Sequence, residues 1–256
     1  MADSLLDLSV VIPAYNERWR ILGTLLEMIE YLEKISVRYE VIVVDDGSSD
    51  ETQELVGRLA RLRPQIRIIR HETNRGKGHA VRSGVLAAQG KRVLFADADG
   101  ATPAAELHRL SQALDQGADV AIGSRAVFAE DVRVSTWFHR KYLGRFFNLI
   151  VNILIIPGIA DTQCGFKLFT NSAGKFLFSF SRSEGFSFDV EILYLAKRAG
   201  LSVREIPVNW TNIPGSKVNV IIDGLKMLRD IIIFRLRHRS VTEDSYRKYL
   251  SEAAAV

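Results

Sequence analysis

Residues 92–102 read RVLFADADGAT, an apolar run that passes straight into two aspartates separated by one alanine, Asp97 and Asp99. Carboxylates two apart on an extended segment repel each other, so their pairing at a strand end calls for something positive between them. Hard oxygen donors suit Mg²⁺ or Mn²⁺, ions that take one or two protein carboxylates and fill the remaining positions with phosphate oxygens and water. A metal held this way needs a diphosphate partner. The competing reading is a cap for a helix starting near Thr102 and Pro103, with the second aspartate solvated. Context has to separate the two.

Upstream, the same pattern of apolar run and polar loop recurs. LSVVIP is followed by AYNE, YEVIVVDD runs into GSSD, and IRIIR into HETNRGKG. Segments of helical period begin near Trp19, Asp50 and His79, and a further one from Ala104 to Gln116 leads to DVAIGSR. This βαβα rhythm predicts an α/β fold with a mostly parallel sheet covered on both faces. Ligands of such sheets bind beyond the carboxyl ends of the strands, where these polar loops gather.

The chain has 256 residues, 47% of them hydrophobic, enough for a large core, and this excludes a disordered protein. Its 34 Lys and Arg against 30 Asp and Glu leave a charge of +4, too mild to imply nucleic acid. The single cysteine, Cys164, excludes an internal disulfide and a CxxC metal site. The N-terminus has no basic n-region, so no signal peptide is expected. The longest apolar stretch, Phe146 to Ala160, is interrupted by Asn148, Asn152 and Pro157, so no transmembrane helix is expected.

Among the loop motifs, DDGSSDET is partly ordinary turn and helix-start chemistry, but Asp45 at the strand tip has no such role. An ionised carboxylate there can accept the imide N–H of a uracil. NRGKG places Arg75 and Lys77 among glycines just before a helix N-terminus, which reads as a phosphate or base-edge cradle or as a plain glycine-rich turn. It is neither a P-loop nor a GxGxxG fingerprint, so ATP hydrolysis and NAD chemistry lose their usual support.

Taken in order, VVIPAYNE, VVDDGSSD, NRGKG and FADADGAT resemble the nucleotide-sugar half of the GT-A family 2 glycosyltransferases. The resemblance continues through IGSR, DTQCGFKLF, FSFDVEIL and VNWTNIPGSKV to the basic C-terminal helix, and is greatest to the dolichyl-phosphate β-glucosyltransferase branch. It implies a GT-A (Rossmann-like) fold with residues 1–125 as the nucleotide-sugar half, 126–240 as an acceptor and membrane-interface half, and 241–256 as a tail. Pro13, Tyr15 and Glu17 would hold the uridine, Glu17 at the ribose. Asp45 and Lys77 would read the uracil, and Asp97 and Asp99 would hold Mg²⁺ or Mn²⁺ and the diphosphate. Arg125 would lie near the donor phosphates or sugar, and Ser216 and Lys217 would bind acceptor phosphate. Asp161 occupies a position sometimes given a base role; a dianionic phosphate acceptor needs none, so positioning is expected of it. Asp189 reads as a helix cap and Glu191 as ordering a loop.

The resemblance also implies an inverting transfer of glucose from UDP-glucose to a polyprenyl (dolichyl) phosphate. Related mannosyltransferases carry an arginine shortly before the Ser-Lys pair, where this chain has Thr211, Asn212 and Ile213. No QxxRW motif is present, which points to single transfer rather than processive synthesis. Basic residues including Arg140, Lys141 and Arg145 interleave with Trp137, Phe138 and Tyr142, and Arg235, Arg237 and Arg239 line the last helix, whose apolar stripe is read as Ile221, Leu225, Leu228, Ile232 and Leu236. Such helices suit a bilayer interface, or equally a core. Arg140 joins the acceptor-phosphate set. The expected partners are a UDP-sugar donor, a polyprenyl-phosphate acceptor and a membrane surface, with no nucleic acid; a homo-oligomer or a partner flippase is compatible with the reading. The expected location is the cytoplasmic face of a membrane, peripheral or monotopic. The alternatives are transfer of mannose or N-acetylglucosamine to the same lipid class, and a non-catalytic nucleotide-sugar or membrane-binding protein.

Overall fold

In the computed structural model, residues 6–135, 156, 158–214, 229–231 and 233–254 are described. The runs LSVVIPA and YEVIVVD form β1 (Leu8–Ala14) and β2 (Tyr39–Asp45), buried at every position as central parallel strands are. They pair in parallel, from Leu8 opposite Tyr39 to Ala14 opposite Asp45. β3 (Ile66–Arg70) and β4 (Arg92–Ala96) flank them, also in parallel. The crossovers are α1 (Ile21–Lys34), α2 (Thr52–Leu62) and α3 (Lys77–Ala87), each starting within two residues of the expected position.

A short 3₁₀ turn (Ala104–Glu106) and α4 (Leu107–Asp115) lead to β5 (Val120–Ser124). The second part of the chain then joins the same sheet. After β6 (Val134–Ser135), β7 (Phe166–Thr170) inserts between β4 and β5 and runs antiparallel to both. α5 (Asn171–Phe180) and α6 (Phe188–Arg198) follow, β8 (Val203–Pro207) closes the edge parallel to β5, and β9 (Trp210–Thr211) pairs with β6. The sheet order is β3-β2-β1-β4-β7-β5-β8.

Strand residues alternate between two apolar layers. Val11, Val44, Phe95 and Phe169 face one with Phe178 and Phe188; Val10, Ile12, Leu94 and Leu168 face the other with Leu25 and Leu110. The last residues depart from expectation in two ways. Within the segment 241–256 given above as a tail, residues 243–254 form a helix, α7 (Glu243–Ala254), held by Tyr246 and Tyr249 packing on Phe176. Of the apolar stripe read in the sequence only Leu236 is among the described residues, and it is exposed, whereas Ile231, Phe234 and His238 are buried; Ile221, Leu225, Leu228 and Ile232 lie outside the described residues. Among the described residues, no helix is long and apolar enough to cross a membrane.

Candidate active site

β4 ends at Ala96, and the next peptide N–H, that of Asp97, donates to the Gly165 carbonyl at 2.9 Å. A Cβ at Gly165 would lie 1.9 Å from Asp97 Oδ2 and would push that carboxylate out of place. Ala98 is buried between the aspartates, its carbonyl accepting from Thr24 Oγ1 at 2.9 Å, while Asp99 Oδ1 accepts from the Ala101 amide at 3.0 Å. Neither aspartate caps the following helix, whose Ala104 amide is taken by Glu27 Oε1 at 2.9 Å. The two carboxylates therefore stand side by side, half-buried. Burial, then the charge of Asp97, pushes the Asp99 carboxyl above its usual range. A carboxyl raised in this way gains from a cation, and with Asp97 beside it this all-oxygen donor set fits Mg²⁺ or Mn²⁺.

Lys77 Nζ lies 2.6 Å from Asp97 Oδ1 and 5.2 Å from the centre of the Phe95 ring. Burial opposes its charge, yet Asp97, Asp189 and Asp99 together hold it above the ordinary lysine range. Beneath it is a pair that sequence reasoning missed. Lys167 on β7 is fully buried, donating to Asp189 and, at 2.7 Å, to the Cys164 carbonyl. Asp189 is not a helix cap, because it lies inside α6 on this lysine; burial raises its carboxyl despite Lys167 and Lys77. Glu191, one turn edge away, binds the Ser181 hydroxyl, the Arg182 and Ser183 amides and His238.

The uracil pair expected from the resemblance is not drawn together around a shared group, for Lys77 is on Asp97. Asp45 Oδ1 accepts from the Ser48 amide at 3.1 Å, while its buried Oδ2 has no hydrogen-bond partner and Arg70 Nε stands 3.9 Å away. The neighbouring Asp46, passed over in the sequence, organises NRGKG by accepting from the Arg75 and Gly76 amides and from His71 Nδ1. The anion cradle read at the start of α3 is corrected here. The Gly78 and His79 amides donate to the Glu184 carbonyl at 2.8 and 3.3 Å, so this N-terminus is spent on the protein's own backbone. Gly76, at φ 101°, permits that approach, since a Cβ would lie 2.4 Å from the Glu184 oxygen.

At the end of β1, Pro13 is buried opposite Val44 and Tyr15 is 36% exposed at the loop. Asn16, in the left-handed region at φ 52°, accepts from the Ser49 amide at 2.8 Å and ties this loop to the one after β2. Glu17 forms a two-point pair with Arg20, which reaches the Pro214 carbonyl at 3.1 Å.

Arg125, just past β5, donates to Asp161 from its backbone N, Nε and Nη2 at 3.0, 2.7 and 2.8 Å. Burial works against the Asp161 charge, but Arg125 outweighs it and holds the carboxyl below the usual range. Glu205 accepts from the Asp161 amide at 2.7 Å and from Ser124 Oγ at 2.6 Å, and Trp210 lies under the Arg125 guanidinium at 5.4 Å. Both Asp161 carboxylate oxygens are thus engaged by Arg125. A cleft between α1, the DADGAT turn and β9 is lined by Glu27, Asp97, Asp99, Gly165 and Trp210 among others. Arg140, Ser216 and Lys217 lie outside the described residues. Separately, Asp46, His71 and His79 bring three metal-ligating groups within 4.8 Å of one another.

Residues 9–178 match the model of glycosyl transferase family 2. Dolichyl-phosphate β-glucosyltransferase of Saccharomyces cerevisiae is 41% identical over 90% of this chain and 75% of the yeast protein. The human protein of the same name is 40% identical over 90% of this chain and 75% of its own. Among solved structures, glucosyl-3-phosphoglycerate synthase from Mycobacterium tuberculosis with Mn²⁺ and UDP-glucose superposes with a TM-score of 0.62 at 18% identity, covering 92% of this chain and 80% of that one. Mannosyl-3-phosphoglycerate synthase from Rubrobacter xylanophilus gives 0.67 at 17% identity over 91% and 74%. These structural likenesses establish the GT-A fold.

Proposed function

The chain belongs to glycosyl transferase family 2 and, within it, to the dolichyl-phosphate β-glucosyltransferases, and on that premise we propose that it transfers glucose from UDP-glucose to a polyprenyl (dolichyl) phosphate with inversion. The observation that carries the reading is the pair Asp97 and Asp99, half-buried just past the end of β4, where burial and the charge of Asp97 make the Asp99 carboxyl receptive to a cation. These two residues would hold Mg²⁺ or Mn²⁺. When bound, the ion supplies charge stabilisation at the departing diphosphate.

The remaining roles fall to the chain's own groups. Lys77, beside Asp97, adds a positive charge where the diphosphate binds. Asp45 Oδ2, which accepts no hydrogen bond and has Arg70 Nε 3.9 Å away, supports an acceptor role toward the uracil imide, with Pro13, Tyr15 and Glu17 around the uridine. Arg125, fixed by Asp161 and Trp210, faces the donor phosphates or sugar. A phosphate monoester has a second pKa near ~6 and is largely dianionic at neutral pH, so it attacks the anomeric carbon without a strong base. Asp161 then positions through Arg125. Arg140, Ser216 and Lys217 complete the acceptor-phosphate set, and exposed Ile233, Arg235, Leu236, Arg237 and Arg239 support contact with the cytoplasmic surface of a membrane.

The test is release of nucleoside diphosphate from UDP-glucose, GDP-mannose and UDP-N-acetylglucosamine, each with and without a short polyprenyl phosphate. Lipid-stimulated release of UDP from UDP-glucose is expected. Faster release from another donor would overturn the sugar, and UDP-glucose binding with no lipid stimulation would overturn the acceptor.

A further inference from the structure

Three metal-ligating side chains converge away from Asp97 and Asp99. Asp46 follows β2, His71 follows β3, and His79 lies in the first turn of α3, with one ligand atom of each within 4.8 Å of the others. Three atoms so spaced all fit within about 2.8 Å of one common point, against 2.0–2.2 Å for Zn–N and Zn–O bonds, so movements of roughly 0.7 Å bring them to bonding distance.

The surroundings already resemble those of a metal site. His71 directs Nδ1 at Asp46 Oδ1, 2.7 Å away, a hydrogen bond that a metal ion would replace with release of the Nδ1 proton to solvent, while its Nε2 is held by Ser83 Oγ at 3.0 Å, the kind of outer partner that orients a ligating imidazole. Ser83 is itself fixed on the His79 carbonyl at 3.1 Å. The Asp46 carboxylate is oriented through Oδ2 by the Gly76 amide at 2.7 Å. His79 packs edge-on against His71, ring centres 4.6 Å apart, and its buried Nδ1 has no hydrogen-bond partner. Buried ring nitrogens are normally satisfied, so this one marks an imidazole lacking a partner.

We propose that Asp46, His71 and His79 form a second metal site, for a borderline transition ion of the Zn²⁺ class. Two imidazoles and one carboxylate favour Zn²⁺ or Co²⁺, whereas the oxygen-only pair Asp97 and Asp99 favours Mg²⁺ or Mn²⁺. Three protein ligands leave a fourth position for water. The ion ties the end of β2, the end of β3 and the start of α3, and so clamps the loop 72–76 that leads into Lys77. The inference does not depend on the identity of the sugar or its acceptor.

Asp46 also holds the Arg75 and Gly76 amides, so the informative variant is at His79. The metal-stripped full-length protein is titrated calorimetrically with Zn²⁺, and spectroscopically with Co²⁺, both in millimolar Mg²⁺. The expected result is one tight equivalent, with the visible absorption of four-coordinate Co²⁺, weakened about 100-fold or more in His79→Gln and unchanged in Asp99→Ala. Circular dichroism and the melting temperature of His79→Gln without Zn²⁺ confirm that it is folded. Absence of a tight equivalent in wild type, persistence of binding in folded His79→Gln, or its loss in Asp99→Ala would each overturn the site.

Discussion

Breaking the Arg125–Asp161 pair separates positioning from proton transfer. Asp161 is 2% exposed and accepts three hydrogen bonds from Arg125, whose side chain is about a third exposed. Removing one partner of a buried pair costs about 3–5 kcal/mol, and the exposure of the guanidinium places Arg125→Met near the lower end, about 3 kcal/mol. At roughly 2–4 °C per kcal/mol for a chain of this size, Tm falls by about 6–12 °C. Asp161→Asn leaves the guanidinium partly solvated and costs about 2 kcal/mol by the same reasoning. The double variant then loses less than the sum, with a coupling of about 1.5–3 kcal/mol in urea melts. Turnover measured at a temperature where all variants are folded should fall by similar factors in both single variants, because the pair acts as a unit. Stability losses that add within about 0.5 kcal/mol, or an Asp161→Asn turnover far below that of Arg125→Met, would refute the reasoning.

Lys77 and a divalent cation compete for Asp97, so Lys77→Met should bind Mn²⁺ without nucleotide about tenfold more tightly, seen as loss of free Mn²⁺ signal by electron paramagnetic resonance; weaker binding would contradict this. Gly165→Ala should abolish turnover and lower Tm, since the added Cβ would lie 1.9 Å from Asp97 Oδ2. Burial pushes the Cys164 thiol up to about 12, so it should resist thiol reagents at pH 8 when folded and react after denaturation; fast labelling of the native protein would count against its burial. Because the folded Asp161 carboxyl is held below its unfolded value, its stabilisation is full above the usual carboxylate range and is lost as pH falls through the folded value. Acid titration of Asp161→Asn should accordingly show a shallower loss of stability below pH 4 than wild type.

The strands of the first half were legible because buried parallel strands need continuous apolar runs, and VVIPA and EVIVVD admit little else. The same runs delivered Asp45, Asp97 and Asp99 to one edge of the sheet. Partnerships across the chain were hidden. FKLFT carries no mark of its antiparallel insertion between β4 and β5, which long-range pairing decides. Lys167 looks like a surface cation, because lysine is almost never fully buried, and its partner Asp189 comes 22 residues later. NRGKG reads as an anion cradle until the loop carrying Glu184 is laid over α3, and the convergence of Asp46 with His71 and His79 requires three elements to meet.

Whether Asp97 and Asp99 are kept together to hold a metal on the diphosphate of a sugar donor is decided by lipid-dependent UDP release from UDP-glucose in wild type and Asp99→Ala, with Mg²⁺, with Mn²⁺ and with chelator. Release is expected to require the ion in wild type and to fall by at least about a hundredfold in a folded Asp99→Ala. Release that is unchanged by the substitution, or by removal of the ion, would contradict that role.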